Sequence, residues 1–322
     1  MIEIKKITLE NDFDELIALF NAGLGETTKE HWKWKCFCES GFKKQEVFTA
    51  YDTEAHKTMG MMSFFPERYN KNGNTLDVVQ MCDLVVAPEY RGKGIMTSLY
   101  SFAENYYKCI DVFMGFPNDC SHKRFFKYGF INICEMHIYN THYHYFTKKL
   151  KDGLVAHIGP YSLTKYSYVP DSIEAVDKKS NISSEYWRIT KSHALYEYKY
   201  NKNPDTKYIT FVIAKDSSPE AYFIGSLNKG RLTTAFNIYD WNISNMLASD
   251  TDNLKQIFLK MRPIANRIYI WGNYNQKIFS MLNGIGFEKQ QGSSSRMIMK
   301  IFTPGIKIDS SEWFITRIDT DY

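Results

Sequence analysis

The residues whose types and spacing best suit chemistry lie in Leu84-Val85-Val86-Ala87-Pro88-Glu89-Tyr90-Arg91-Gly92-Lys93-Gly94-Ile95-Met96-Thr97. An apolar run precedes this loop and helical spacing follows it, which makes it a strand-to-helix connector. Such a connector turns successive backbone N–H groups, which have no intrahelical acceptor, toward one point where the helix dipole favours negative charge. That geometry holds phosphate oxygens. Gly92 and Gly94 remove the Cβ atoms that would keep a diphosphate off the backbone, while Arg91 and Lys93 add positive charge. The letters do not make a P-loop, which needs G-x-x-x-x-G-K-[ST]. They do not make a Rossmann turn either, because Gly92-x-Gly94 is followed three residues later by Thr97. A cationic connector in any α/β protein would read the same way, so the loop alone decides nothing.

A wider constellation adds to it. The run from Val86 through Pro88-Glu89-Tyr90-Arg91-Gly92-Lys93-Gly94 to Ile95 resembles the signature of the GNAT superfamily, R/Q-x-x-G-x-G/A. A second family mark is a strand ending in Asn, followed by a helix closing on Gly-Phe. Phe116-Pro117-Asn118 and Lys127-Tyr128-Gly129-Phe130 match it, in the family's order. Residues 75–131 carry the resemblance, which extends over 1–145 and fades beyond. It implies that the backbone of Leu84, Val85 and Val86 pairs with the pantetheine arm of acetyl-CoA and polarises the thioester. It implies that Arg91, Gly92, Lys93, Gly94, Ile95, Met96 and Thr97 hold the pyrophosphate, and that Asn118 sits where splayed strands admit the donor. Fixed N–H dipoles aimed at a developing oxyanion stabilise it without reorganising.

Two positions depart from the family. Met96 replaces the usual small residue at the helix start. Phe125, counted among the donor-contacting positions, stands where many members carry a tyrosine that protonates the leaving thiolate, so that role is vacant or filled from elsewhere. For the base that takes a proton from an attacking amine, Asp83 is the candidate, because it interrupts an apolar strand directly before the loop. Strict alternation would put Met81, Asp83 and Val85 on one face. The competing reading is a buried carboxylate held by backbone donors, and the return of Asp83 as Asp240 favours that reading.

The elements that must position these residues carry a faint repeat, which reads as a duplicated domain with loop insertions or as coincidence among common residues. Asp83 recurs as Asp240, Asn118 as Asn275, and Gly129-Phe130 as Gly286-Phe287, each 157 residues on; Trp32-Lys33-Trp34-Lys35 is echoed by Tyr196-Glu197-Tyr198-Lys199. The first copy reads as a strand over 2–7, a helix over 12–22 with Leu16, Leu19 and Phe20 inward, and a strand over 47–51. A hairpin of 59–66 and 76–86 turns at Asn70-Lys71-Asn72-Gly73-Asn74. A helix over 95–107 follows, with Ile95, Leu99, Phe102 and Tyr106 on one face, then a strand over 110–116 and a helix over 121–128 stopped by Gly129. In the second copy strands fall near 208–214, 221–226, 232–241 and 267–271, with a helix near 253–261. The lysine- and glycine-containing stretch 146–160 separates the copies, and the acidic tail 319–322 reads as solvated. The expected fold is α/β: tandem GNAT-like (acyl-CoA N-acyltransferase) domains, a mixed sheet flanked by helices, with residues 1–150 binding acetyl-CoA and residues 151–322 forming a degenerate copy. The offset of Arg91-Gly92-Lys93-Gly94 lands on Ala248-Ser249-Asp250-Thr251, which has no glycine and an added carboxylate.

Length favours two domains. A composition of 44% hydrophobic and 24% charged residues is that of a globular chain, and 16% aromatic supplies core and cleft material. A formal net charge of +4 is too small to imply nucleic acid or a membrane surface. The six cysteines contain no C-x-x-C pair and read as free thiols. With a charged alternating start and no long apolar run, they fit a cytoplasmic protein with no membrane span.

Other groupings have plainer explanations. His137, His142 and His144 could suggest zinc, but no acidic or cysteine partner has ligand spacing, so an aromatic strand is expected and no metal. Cys120 with His122 could carry an acyl group, although direct transfer needs no such intermediate. Trp32, Trp34, Tyr196 and Tyr198 line an acceptor cleft or simply pack.

The resemblance therefore implies an N-acetyltransferase using acetyl-CoA on a primary amine of a small molecule, amino sugar or peptide. A Fem-type aminoacyl-tRNA-dependent peptidyltransferase and a non-catalytic acyl-CoA-binding or regulatory protein are the alternatives. The loops 38–44 and 68–74 carry no recognition code for the acceptor, and the oligomeric state is open.

Overall fold

A computed structural model describes residues 1–8, 13–38, 44–142, 155–230, 233–261, 264–274, 276–306 and 308–320. In the first half, β1 (Ile2–Lys6), α1 (Phe13–Gly23), α2 (Lys29–Phe37), β2 (Glu46–Asp52), β3 (Lys57–Lys71) and β4 (Asn74–Val86) lead to α3 (Ile95–Tyr106). After it come β5 (Val112–Gly115), α4 (Asp119–Phe125) and β6 (Ile131–His142). The second half opens with β7 (Val155–Ile158), β8 (Tyr161–Tyr166), α5 (Glu174–Asp177), α6 (Ile182–Glu185), β9 (Arg188–Ile189) and α7 (His193–Tyr196). It continues through β10 (Tyr208–Lys215), β11 (Ser218–Lys229), β12 (Thr234–Ile243), α8 (Asn245–Ala248), α9 (Thr251–Met261), β13 (Arg267–Gly272), α10 (Gln276–Gly284) and β14 (Glu288–Ile301).

The local chemistry explains the boundaries. The β3–β4 hairpin turns on Asn72 and Gly73, both at positive φ, the conformation that a two-residue turn between twisted strands requires. Thr28 caps α2 by accepting from His31 N, and Asn118 caps α4 by accepting from Ser121 N. Gly129 and Gly286 adopt left-handed φ values of 82° and 97°, and matching return bonds run from Phe130 N to Phe125 O and from Phe287 N to Leu282 O.

The strands join one mixed sheet in the order β1-β2-β3-β4-β5-β14-β6-β13-β12-β11-β10-β8-β7, with β9 pairing β3. The order reads alike from both sides. The run β3-β4-α3-β5-α4-β6 in one half is matched by β11-β12-α9-β13-α10-β14 in the other. Parallel pairing is repeated as well, from Val78↔Val112 to Met81↔Gly115 and from Ala235↔Arg267 to Ile238↔Ile270. At the centre the last strands change places: β14 lies against β5, and β6 lies against β13. The sequence places the separation of the halves within 146–160, of which 146–154 lie outside the described residues, as do His144 and Asn275.

Three expectations need correction. Helix α3 buries Ile95, Leu99, Tyr100 and Ala103, while Phe102 is only partly covered and Tyr106 is exposed, so its inward face is turned from the one expected. On α1, Phe13 joins Leu16 and Leu19 inside, leaving Phe20 at the margin. The tail is not solvated at Asp319, which is 1% exposed and accepts from Tyr69 OH and Thr316 N. Among the described residues, no helix is long and apolar enough to cross a membrane.

Candidate active site

Strand β4 runs to Val86, and a single turn at Pro88–Tyr90 leads into Arg91-Gly92-Lys93-Gly94 and then α3. Gly92 and Gly94 have φ of 79° and 80°, in the region that only glycine enters freely, and a Cβ added at either would meet no atom within 4 Å. The backbone of the loop thus lies open. Gly94 is the N-cap of α3 and offers no side-chain cap, so the first-turn N–H groups are presented outward without one. Arg91 Nε donates to Val86 O at 3.2 Å, and Lys93 Nζ stands 5.0 Å from the Tyr90 ring centre. Thr97 Oγ1 and Tyr128 OH share a 2.8 Å hydrogen bond. Ile95 is buried beneath the helix and Met96 packs at its edge. Gly60 on β3 makes the close approach possible, because a Cβ there would stand 2.9 Å from Val85 O and from the Ile95 side chain.

Beyond Met81↔Gly115 the strands β4 and β5 part, because β5 stops at Gly115 while β4 continues to Val86. The parting leaves a cavity of about 260 Å³. Met81, Cys82, Asp83 and Leu84 form one wall, Gly115, Phe116, Pro117 and Asn118 the other, with Ser121 and Phe125 between them. Of the sequence-predicted residues, Asp83, Leu84, Asn118 and Phe125 therefore meet at one slot. The Val85 side chain turns away into the core with Phe13, Leu16 and Trp32, and its backbone pairs with Met61 as that of Val86 pairs with Gly60. Phe125 is buried among Leu99, Tyr100 and Phe130 and has no hydroxyl to give.

Asp83 has φ 41°, and the β3–β4 register slips beside it, between Met61 and Ser63. The extra residue breaks the alternation. Met81 faces the core of Leu99 and Phe113, whereas Val85 faces that of Phe13 and Trp32, so they do not share the face expected. Three donors converge on Asp83 Oδ2: Lys35 Nζ at 3.1 Å, Gln45 Nε2 at 2.8 Å and Ser63 Oγ at 2.7 Å. All three are side-chain donors. Lys35 is 1% exposed, and burying an ammonium is tolerable only with such a partner. A left-handed aspartate costs on the order of 1–3 kcal/mol and persists only where its surroundings fix it. The sequence reading missed Lys35, Gln45, Ser63 and Ser121; a lysine alternating with the tryptophans of α2 was the one visible sign.

The remaining groupings resolve simply. Cys120 is exposed while His122 Nε2 bonds Asn132 Oδ1 at 2.7 Å, so the two form no relay. His137 and His142 lie on β6, and among the described residues no group of three His, Cys, Asp or Glu could hold a metal. Trp32, Trp34, Tyr196 and Tyr198 are all buried, which is packing.

In the second half the corresponding helix start is closed. Asp250 Oδ1 accepts from Asn253 N at 3.3 Å and Oδ2 from Asn253 Nδ2 at 2.8 Å. The Asn253 side chain holds the Asp250 carboxyl below its ordinary range, with the Asn253 backbone N–H and Tyr161 OH acting in the same direction. Asp240, matching Asp83, is fully buried beside Lys191.

Residues 3–131 match the family model of the acetyltransferase (GNAT) domain. This stretch is a GNAT acetyltransferase domain. The GNAT fold extends over nearly the whole chain. A probable N-acyltransferase from Enterococcus faecalis superposes with a TM-score of 0.69 at 13% identity, covering 94% of this chain and 73% of that one. A GCN5-related N-acetyltransferase from Anabaena variabilis gives 0.66 at 14%, with the same coverage. The Saccharomyces cerevisiae N-myristoyltransferase with bound myristoyl-CoA gives 0.59 at 12%, covering 97% and 84%. No curated protein matches in sequence. Residues 3–131 thus belong to the acetyltransferase (GNAT) family by their match to its model, and over the rest of the chain the likeness is one of fold.

Proposed function

We propose that the chain transfers the acetyl group of acetyl-CoA to a primary amine of a small molecule, amino sugar or peptide, with residues 1–150 as the donor domain and 151–322 as a second domain without a donor loop. The observation that carries this reading is the open, uncapped glycine start of α3 next to the slot where β4 and β5 part. The residues fit the donor: an anion gains unused N–H groups at Gly94 and the first turn of α3, and a slender arm fits a gap of about 260 Å³. When bound, acetyl-CoA supplies an activated thioester. The edge of β4 that faces the gap over Leu84–Val86 directs its N–H dipoles at the carbonyl oxygen as negative charge develops there. As the amine nitrogen bonds the carbonyl carbon and the C–S bond breaks, CoA leaves as the thiolate and Asp83, held in place by Lys35, Gln45 and Ser63, accepts the proton released by the amine. Asn118 fixes the far wall by capping α4.

The experiment is a calorimetric titration with acetyl-CoA paired with thiol release over an amine panel. Gly94→Val should abolish binding because its side chain enters the diphosphate space at a φ that valine resists. Equal binding by parent and variant would move the donor elsewhere, and no binding at millimolar acetyl-CoA would reject the reading.

A further inference from the structure

In the second half, the place that corresponds to the donor entrance holds a different cavity. It measures about 510 Å³ between the start of α9 and α10. With the 157-residue offset, Ile243, Ala248, Ser249, Thr251 and Ile278 on its walls stand for Val86, Arg91, Gly92, Gly94 and Ser121. We propose that this cavity is a second small-molecule site and that its ligand is an uncharged apolar molecule the size of two or three rings.

The size lies in the range of ligand pockets. Tyr186, Ile243 and Ile278 are nearly fully buried members of the surrounding core, so the walls are fixed, and Ile182, Ala248 and Met281 complete an apolar lining. The charges are already spent. Asp250 occupies the helix start where an anion would otherwise bind, and it would repel one. At the rim, Lys277 Nζ is held by both oxygens of Glu185, at 3.2 and 3.1 Å. Asn181 and Asn245 bond each other, Asn245 Nδ2 donating to Asn181 Oδ1 and Asn181 N to Asn245 Oδ1, each at 2.7 Å. A space lined by apolar side chains, with its charged pair and its asparagines already bonded to each other, holds water poorly and gains from apolar filling. None of this depends on acyl transfer.

The test uses two fluorescent probes with the same rings, neutral N-phenyl-1-naphthylamine and its sulfonated relative 8-anilino-1-naphthalenesulfonate. The neutral probe should bind one per chain, and the sulfonate should bind roughly tenfold more weakly, a difference of about 1.4 kcal/mol. Saturating CoA and the Gly94→Val variant should leave neutral-probe binding unchanged. Ala248→Phe fills the cavity and Ser249→Trp, at an exposed rim position, covers its mouth; both should weaken binding at least roughly tenfold. Ser249→Trp should fold like the parent by circular dichroism. The proposal is overturned if the neutral probe does not bind, if CoA displaces it, if the sulfonate binds as tightly, or if the folded Ser249→Trp variant binds like the parent.

Discussion

Trp34 and Tyr198 lie face to face, with ring centres 5.2 Å apart and planes 18° from parallel, and each side chain donates to the backbone of the other's segment. Trp34 Nε1 donates to Tyr198 O at 2.7 Å, and Tyr198 OH donates to Lys35 O at 2.9 Å. These are matching positions of the repeated Trp32-Lys33-Trp34-Lys35 and Tyr196-Glu197-Tyr198-Lys199 tetrads, so the two halves meet through copies of the same place. The contact also fixes the residue that holds Asp83.

Trp34→Ala should therefore cost about 3–5 kcal/mol, as for a buried aromatic removed without repacking. Tyr198→Phe, which keeps the stack and loses one hydrogen bond, should cost about 1 kcal/mol. Urea unfolding measures both. A Trp34→Ala variant as stable as the parent would mean that this contact adds nothing to the joining of the halves by the exchanged strands.

Asp83→Asn should lower kcat by roughly 10²- to 10⁴-fold, the usual worth of a general base. Acetyl-CoA affinity should change little, since Asn keeps the shape of the slot. If instead kcat is retained and only stability falls, Asp83 serves the ion pair with Lys35 alone.

One acetyl-CoA should bind per chain. The first-half helix start is open at Gly94, and the second-half start is taken by Asp250. A titration ending near two donors per chain would contradict this, as would loss of all binding in Asp250→Asn.

Thiol alkylation should sort the cysteines by exposure and acidity. Cys109 and Cys120 are exposed and should react first with iodoacetamide at pH 8. Burial pushes the Cys134 thiol up to about 12, so thiolate is scarce below that pH and Cys134 should stay unmodified until the protein unfolds. Peptide mapping by mass spectrometry reads the order, and early Cys134 labelling would show β6 to be more open than described.

Residues 1–150 expressed alone should not fold. Without β14 the fragment leaves β5 with an open edge and β6 without either of its neighbours in the sheet. A soluble fragment with a cooperative melt would show that the first half does not need the exchanged strand.

The open glycine loop before α3 was legible in the sequence because glycine positions and a helix start are local facts. Gly92, Gly94 and Gly129 each occupy the left-handed conformation that makes glycine necessary. Asn118 was visible for a similar reason, since its capping partner is three residues away. The bulge at Asp83 was not, because alternation carries no mark of an inserted residue until the facing strand is known. Its partnership with Lys35, Gln45 and Ser63 joins three separate segments, which no local pattern encodes. Asp319 looked like tail polarity for the same reason: Tyr69, which makes its burial tolerable, lies 250 residues away.

The exchange of β14 and β6 also imposes an order in time. Ile298 pairs beside Gly115, at the wall of the donor slot, yet it is synthesised long after the rest of that wall. A nascent first half therefore leaves the ribosome with its slot unfinished, and closing it waits on a distant segment that must enter between two strands already made. Such non-local pairing is slow and leaves strand edges open meanwhile. The wall of this slot is thus among the last parts of the sheet to close, and until it does the edges of β5 and β6 stay unpaired.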